Sequence, residues 1–106
     1  MKYQTSVYVT LLIILSPMQE ILRWDENRTR RHTYWLVSQI NRIQSALHKI
    51  YKNNNSIEDR VLVKMTKKLL KCRRNILNND PVDEIWSEIA IICLLPHDLL
   101  FNNNLL

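Results

Sequence analysis

The chain contains no glycine, and this absence restricts the possible folds more than any other feature of the sequence. Tight hairpin turns need positive φ angles, which glycine adopts at the least steric cost. Glycine-rich loops that cradle phosphates are excluded for the same reason. Asparagine tolerates the left-handed region better than most residues, and asparagines cluster at 53–55, 78–79 and 102–104. The sequence therefore predicts an all-α protein with asparagine-rich connections.

A chain of 106 residues has the length of one small domain. Because the connections between the predicted helices are short, neighbouring helices should run antiparallel. We predict a single helical domain over 1–106, built as a small antiparallel helical bundle of about four helices, with a flexible tail at 97–106.

The start of the first predicted helix has two interpretations. Ser16 followed by Pro17 has the form of a helix start, with a capping hydroxyl and proline in the first turn. The apolar run Val7–Leu15 that precedes it could instead continue as the same helix, kinked at Pro17. The polar stretch 25–29 is then either a loop or the end of that helix.

Apolar residues at three- and four-residue steps mark the three later helices. The stripe of the second comprises Leu36, Val37, Ile40, Ile43, Leu47, Ile50 and Tyr51. The third, capped by Ser56, has the stripe Leu62, Met65, Leu69, Cys72 and Ile76, widened by Val61 and Leu77. The fourth, opened by Asp80-Pro81 and ended by Pro96, has Val82, Ile85, Trp86, Ile89 and Cys93.

Two cysteines, Cys72 and Cys93, fall on these apolar stripes. The favoured interpretation is that both are small buried hydrophobic residues. A disulfide between them is the alternative, and it would require an oxidising compartment. Their spacing relative to histidine does not suggest zinc, so we predict no metal and no cofactor.

The N-terminal sequence bears on whether the protein is secreted into an oxidising compartment. Lys2 and the run Val7–Leu15 resemble the first parts of a signal peptide, but no small-residue cleavage site follows. The run is also far shorter than the ~20 residues of a membrane-spanning helix. We therefore interpret it as a core element. The alternative is a secreted or viral four-helix interaction protein with a cleaved leader, one disulfide, and glycans at the sequons of Asn27 or Asn54.

The charges are strongly segregated along the chain. Fourteen of the fifteen Lys and Arg residues lie between Arg23 and Arg74, and that block has a formal charge of about +10. The segment Asn75–Leu106 holds five acids and no base. This distribution is typical of a cationic surface that binds a polyanion.

The segment Arg28–Trp35 combines three arginines and a histidine with two aromatic residues. Guanidinium groups bind phosphate through paired hydrogen bonds, and aromatic rings stack on bases. We expect Trp35 to belong to the core, and the arginines to contact RNA. A second basic surface is expected on the third helix. The predicted RNA-binding residues are Arg28, Arg30, Arg31, His32, Arg42, Lys64, Lys67, Lys68, Lys71 and Arg74.

Catalysis is not expected. The three histidines are scattered, and the carboxylate pairs at 58–59 and 83–84 stand at helix starts, where they complement the helix dipole. A further alternative is a non-catalytic adaptor that binds a partner helix through the stripe from Leu62 to Ile76.

The stretch Met18–Leu47 resembles the N-terminal helical domain of the fungal protein subunit specific to RNase MRP. That family has a leucine-rich helix, a basic cluster, a tryptophan four residues after the last arginine, and a basic amphipathic helix. Ile21-Leu22, Thr29-Arg30-Arg31, Trp35 and Ile40–Ile43 occupy those places. Thr29 and Arg30 stand where the family usually has Gln and His.

The resemblance implies a non-catalytic RNA-binding subunit of a ribonucleoprotein that processes pre-ribosomal RNA. Its expected partners are RNA and the protein subunits of the same particle, and its expected location is the nucleus, in the nucleolus.

Overall fold

The structure, a computed structural model, describes residues 2–53 and 59–97, and places side chains over 7–52 and 60–97. These residues form helices with no strand, as the sequence predicts. The elements are α1 (Lys2–Ile21), α2 (Glu26–Arg31), α3 (Thr33–Asn53), α4 (Asp59–Leu77), α5 (Val82–Leu94) and a 3-10 turn (Leu95–His97). The all-α bundle is thus confirmed, with four long helices and one short one.

Two predictions lie partly or wholly outside the described residues. Ser56, the predicted cap of α4, is one of them. The predicted tail is the other, except for its first residue His97, which ends the 3-10 turn. The ring of His97 packs against Tyr8 of α1, with Nδ1 3.1 Å from the tyrosine hydroxyl. This contact ties the end of the described chain to its first helix.

α1 is continuous through Pro17, so the helix start predicted at Ser16 is wrong. The hydroxyl of Ser16 donates to the carbonyl of Ile13 at 2.8 Å and caps nothing. Leu11, Leu15 and Met18 are completely buried at helical spacing on both sides of the proline. Their shared burial holds the helix together where proline removes one backbone hydrogen bond.

The core lies between α1, α3, α4 and α5, with α4 packed against both α3 and α5. It contains most of the predicted stripes, because apolar residues at helical spacing share one face. Two predicted members are instead exposed, namely Tyr51 and Leu77. The buried apolar residues of the later helices are Leu36, Ile40, Ile43, Leu47, Val61, Leu62, Met65, Leu69, Cys72, Ile76, Val82, Ile85, Ile89, Ile92 and Cys93.

Both cysteines are free and buried, as the favoured interpretation predicts. Burial, together with the charge of Glu88, raises the pKa of Cys72 to about 12. Burial alone raises the pKa of Cys93 to about 11. Both thiols are therefore protonated and poorly nucleophilic near neutral pH.

The connection from α4 to α5 places an asparagine where glycine is usual. Asn79 has a φ of 58°. Its backbone N–H donates to the carbonyl of Ile76, and that of Asp80 donates to the carbonyl of Asn75. These two bonds form a Schellman motif, which satisfies carbonyls left free at the helix end. The expected role of asparagine in a glycine-free chain is confirmed at this turn.

Candidate nucleic-acid interface

The basic segment 26–31 forms α2, a helix of six residues that is fixed to the bundle by its single buried residue. Asp25 caps the helix by accepting the backbone N–H of Arg28 at 2.8 Å. Thr29 is buried, donates to the carbonyl of Asp25 and accepts from the indole N–H of Trp86 on α5 at 3.3 Å. The neighbouring arginines are exposed on a helix that is held in place by this buried residue.

Four side chains from three segments meet beside α2, and we call them the aromatic–arginine cluster. They are Trp24, Arg28, His32 and Trp35. The ring of Trp24 lies 5.3 Å from His32 and 5.6 Å from Trp35, measured between centroids. The guanidinium carbon of Arg28 lies 4.7 Å from the centroid of Trp24, within the range of a cation–π contact.

Trp35 does not belong to the core, so that prediction is wrong. Its side chain is 38% exposed, and the buried stripe of α3 begins at the next residue, Leu36. Trp24 lies against the Trp35 ring at an interplanar angle of 38°, and just over a third of Trp35 remains accessible. The adjacent Tyr34 is 93% exposed. An indole held in place by a second indole offers a stacking surface at low entropic cost.

His32 is oriented by the backbone of α2. Its Nδ1 lies 2.8 Å from the carbonyl oxygen of Arg28. A carbonyl only accepts, so Nδ1 carries the proton and donates, and Nε2 of this exposed residue remains for another partner. On the other side of the cluster, the indole nitrogen of Trp24 is buried and has no partner among the described residues. Such a donor costs about 1–3 kcal/mol in lost solvation.

A row of cationic residues extends along α3 from Trp35. Residues seven apart on a helix lie on nearly the same side, and Arg42 and Lys49 follow Trp35 at that spacing. Both are exposed. At about 1.5 Å per residue the row spans roughly 21 Å, enough to follow several phosphates of an extended strand.

The other two arginines of α2 differ in their surroundings. Arg30 donates to the side-chain oxygen of Asn79 at 2.8 Å and lies 3.6 Å from Glu26. Arg31 is exposed and shares with Asp25 and Asn27 the walls of an open cleft of about 470 Å³. Arg30 is thus partly engaged inside the protein, whereas Arg31 faces solvent.

The basic side of α4 is partly neutralised from within. Glu88 of α5 is buried, and its carboxylate lies 3.1 Å from the amine of Lys71 and 3.5 Å from that of Lys68. The Lys68 contact is an ion pair that lacks hydrogen-bond geometry, since the oxygen concerned has no hydrogen-bond partner. These two predicted RNA-binding lysines therefore contact a carboxylate of their own chain.

The remaining predicted residues of α4 are exposed. They are Lys64, Lys67 and Arg74. The structure thus separates the predicted site into two parts: the cluster with its row on α3, and the side chains of α4. Two residues that the sequence did not single out belong to the first part, Trp24 and Lys49. For Lys49 the available signal was its seven-residue spacing from Arg42 on one helix, whereas Trp24 lies before the N-cap of α2 and no helical spacing relates it to Arg28.

Over the described side chains, no group of three or more His, Cys, Asp and Glu residues is placed to hold a metal ion. Within the same limits, none of the helices is both long and apolar enough to cross a membrane. Comparison of the chain with protein-family models, curated proteins and solved structures gives no match. The fold and the cluster together define a small helical bundle that presents a stacked aromatic and cationic surface.

Proposed function

We propose that this chain is a non-catalytic RNA-binding subunit of a ribonucleoprotein. The observation that carries the proposal is the exposed ring of Trp35, backed by Trp24 and continued along α3 by Arg42 and Lys49. In this arrangement a base would stack on the indole while the cations contact phosphates. Base–aromatic stacking contributes about 1–3 kcal/mol per base, and phosphate contacts supply the remainder.

The resemblance of Met18–Leu47 to the fungal RNase MRP-specific subunit supports the same class of partner. It extends the proposal to a particle that processes pre-ribosomal RNA in the nucleolus, with other protein subunits as neighbours. The cluster lies within that stretch. The predicted contacts of α4 are left out of the proposal. Glu88 engages Lys68 and Lys71, and the exposed Lys64, Lys67 and Arg74 belong to the separate α4 part of the predicted site.

Binding of a fluorescent single-stranded 20-nucleotide RNA, measured by mobility shift over a range of salt concentrations, tests the proposal. If Arg28, Arg31, Arg42 and Lys49 each contact one phosphate, the logarithm of affinity should fall with that of salt with a slope of about −3. Binding that is undetectable at low salt, or insensitive to salt, would reject it.

Two matched variants locate the contact on the surface. Arg42→Ala should weaken binding and reduce the slope by about 0.7, which is the contribution of one phosphate on a single strand. Lys64→Ala removes an exposed cation of α4 and should leave the slope unchanged. Crosslinking in cells then identifies the RNA that accompanies the chain.

A further inference from the structure

A second surface, separate from the aromatic–arginine cluster, lies where α3 and α4 pack side by side. A groove of about 480 Å³ separates their solvent-facing edges. Its walls include Leu47 and Tyr51 of α3 and Val63 and Lys67 of α4, with the buried Leu62 at its floor. The groove is mostly apolar and open to solvent.

The α4 edge of this groove continues as an exposed row in which apolar and cationic side chains alternate. Val63, Lys67, Leu70, Arg74 and Leu77 follow one another at steps of four and three residues. The three aliphatic members are 45%, 37% and 70% exposed. From first to last the row is about 21 Å long, the length of four helical turns. An aliphatic row of this length that no described residue covers is typical of a docking surface for a helix.

The charge around the groove determines what can bind there. α3 contains no Asp or Glu from Thr33 to Asn53, and α4 contains none after Asp59. Among the described side chains, Lys67 lines the groove, Arg74 continues the α4 row, and Lys52 is exposed beside Tyr51, so the charge described at and next to the groove is positive. A partner must bring acidic groups between its own apolar ones to match this pattern.

We propose that this α3–α4 groove binds an amphipathic helix of a protein partner, with acidic residues spaced between its apolar ones. The α4 row contains no aromatic side chain, and Tyr51 on the α3 wall is a single ring, so the groove offers less stacking surface than the aromatic–arginine cluster, which disfavours RNA as the occupant. A concave groove between two helices accepts protruding side chains, whereas a lipid surface is flat. Apart from Leu62 at the groove floor, the stripe from Leu62 to Ile76 does not line this surface, because it is buried in the fold.

Selection from a phage library tests the proposal. The library consists of 21-residue peptides randomised among Leu, Ala, Glu and Lys, and the full chain is the bait. Enriched peptides should carry Leu and Glu at three- and four-residue steps. A fluorescein-labelled copy of one such peptide should lose at least tenfold in affinity with Leu70→Glu, and equally with the more exposed Leu77→Glu. Ile13→Glu, which changes an exposed residue of α1, should have no effect.

Charge reversal provides the second part of the test. The Lys67→Glu/Arg74→Glu variant should fail to bind the acidic peptide and should bind a copy in which each Glu is replaced by Lys. No enrichment, enriched peptides without Glu, or affinity unchanged by both leucine variants would overturn the proposal. It would also be overturned if phosphatidylserine vesicles or the 20-nucleotide RNA displaced the peptide and showed the same dependence on Leu70 and Leu77.

Discussion

The amine of Lys71 lies 3.1 Å from the buried carboxylate of Glu88, so the basic helix α4 is joined to the acidic helix α5 by an internal ion pair. Part of the charge segregation along the sequence is therefore structural. The cations that remain exposed beside aromatic rings are those of α2 and α3. This relationship moves the proposed RNA-binding surface away from the Lys68 and Lys71 side of α4.

Replacing Glu88 by Gln should lower the free energy of unfolding by about 1–3 kcal/mol. The reason is that Lys68 and Lys71 lose the negative charge that offsets their own positive charges. The effect should fall below that of a fully buried pair, since Lys71 is about half exposed. Urea unfolding measures the change, and Glu84→Gln, at an exposed position of the same helix, is the control. Equal stability of the two variants would show that the pair contributes nothing.

Trp35→Ala should weaken binding of single-stranded RNA by about 1–3 kcal/mol, or roughly 5- to 150-fold, while Trp35→Phe should retain most of the affinity. The thermal midpoint should fall somewhat, because Trp35 is more than half buried and contacts Trp24, so the affinities are measured well below the midpoints of both variants. Fluorescence anisotropy provides the affinities, and Tyr51→Ala removes another exposed aromatic residue of α3 as control. If both alanine variants bind RNA equally, Trp35 does not stack on a base.

The buried thiols should make the protein less stable at alkaline pH. The ordinary pKa is 9.0, and the folded values are about 12 for Cys72 and about 11 for Cys93. Between pH 9 and those values the unfolded chain has lost protons that the folded chain keeps. The unfolded state therefore binds fewer protons, and stability falls as pH rises, by at most about 1.4 kcal/mol per pH unit for each thiol.

Urea unfolding at pH 8 and pH 10.5 measures this dependence. Other groups titrate in the same range, so the readout is the difference between the parent and the Cys72→Ala/Cys93→Ala variant. The stability of the parent relative to the variant should decline with pH. A constant difference would mean that the thiols keep ordinary pKa values in the fold.

Asn79→Ala should lower the free energy of unfolding by about 1–2 kcal/mol, because alanine is strained at a positive φ. Asn79→Gly removes the same hydrogen bond to Arg30 but relieves the strain, so it should be the more stable of the two. Differential scanning calorimetry compares them, with Asn78→Ala as a control at the adjacent exposed position. An alanine variant as stable as the glycine variant would contradict the role of the backbone conformation.

Much of the fold could be predicted because it depends on local chemistry. The spacing of Leu62, Met65 and Leu69 predicts a buried face of α4, and these residues are buried. The helix start predicted at Ser16 and Pro17 was wrong. The local preference of these two residues for a helix start stabilises less than the burial of Leu11 and Met18, which lie on either side of the proline in one continuous helix.

The candidate site was less predictable, since it depends on contacts between segments. Trp35 stands next to an apolar stripe in sequence, and its spacing agrees with a core position almost as well as with the surface. Only the placement of Trp24 against it shows which side it occupies. Lys68 and Arg42 likewise look equivalent in sequence, but only Lys68 has a buried carboxylate within 3.5 Å.

The sequence by itself predicted the all-α class, since the absence of glycine disfavours hairpin turns and apolar residues at helical spacing form one face that packed helices bury. It also determined the left-handed turn at asparagine, because few other residues tolerate that conformation. The tertiary structure decided which charges remain available to a partner. The physical reason is that a carboxylate neutralises a cation only when the two groups lie within a few ångströms, and helix packing sets the distance between them.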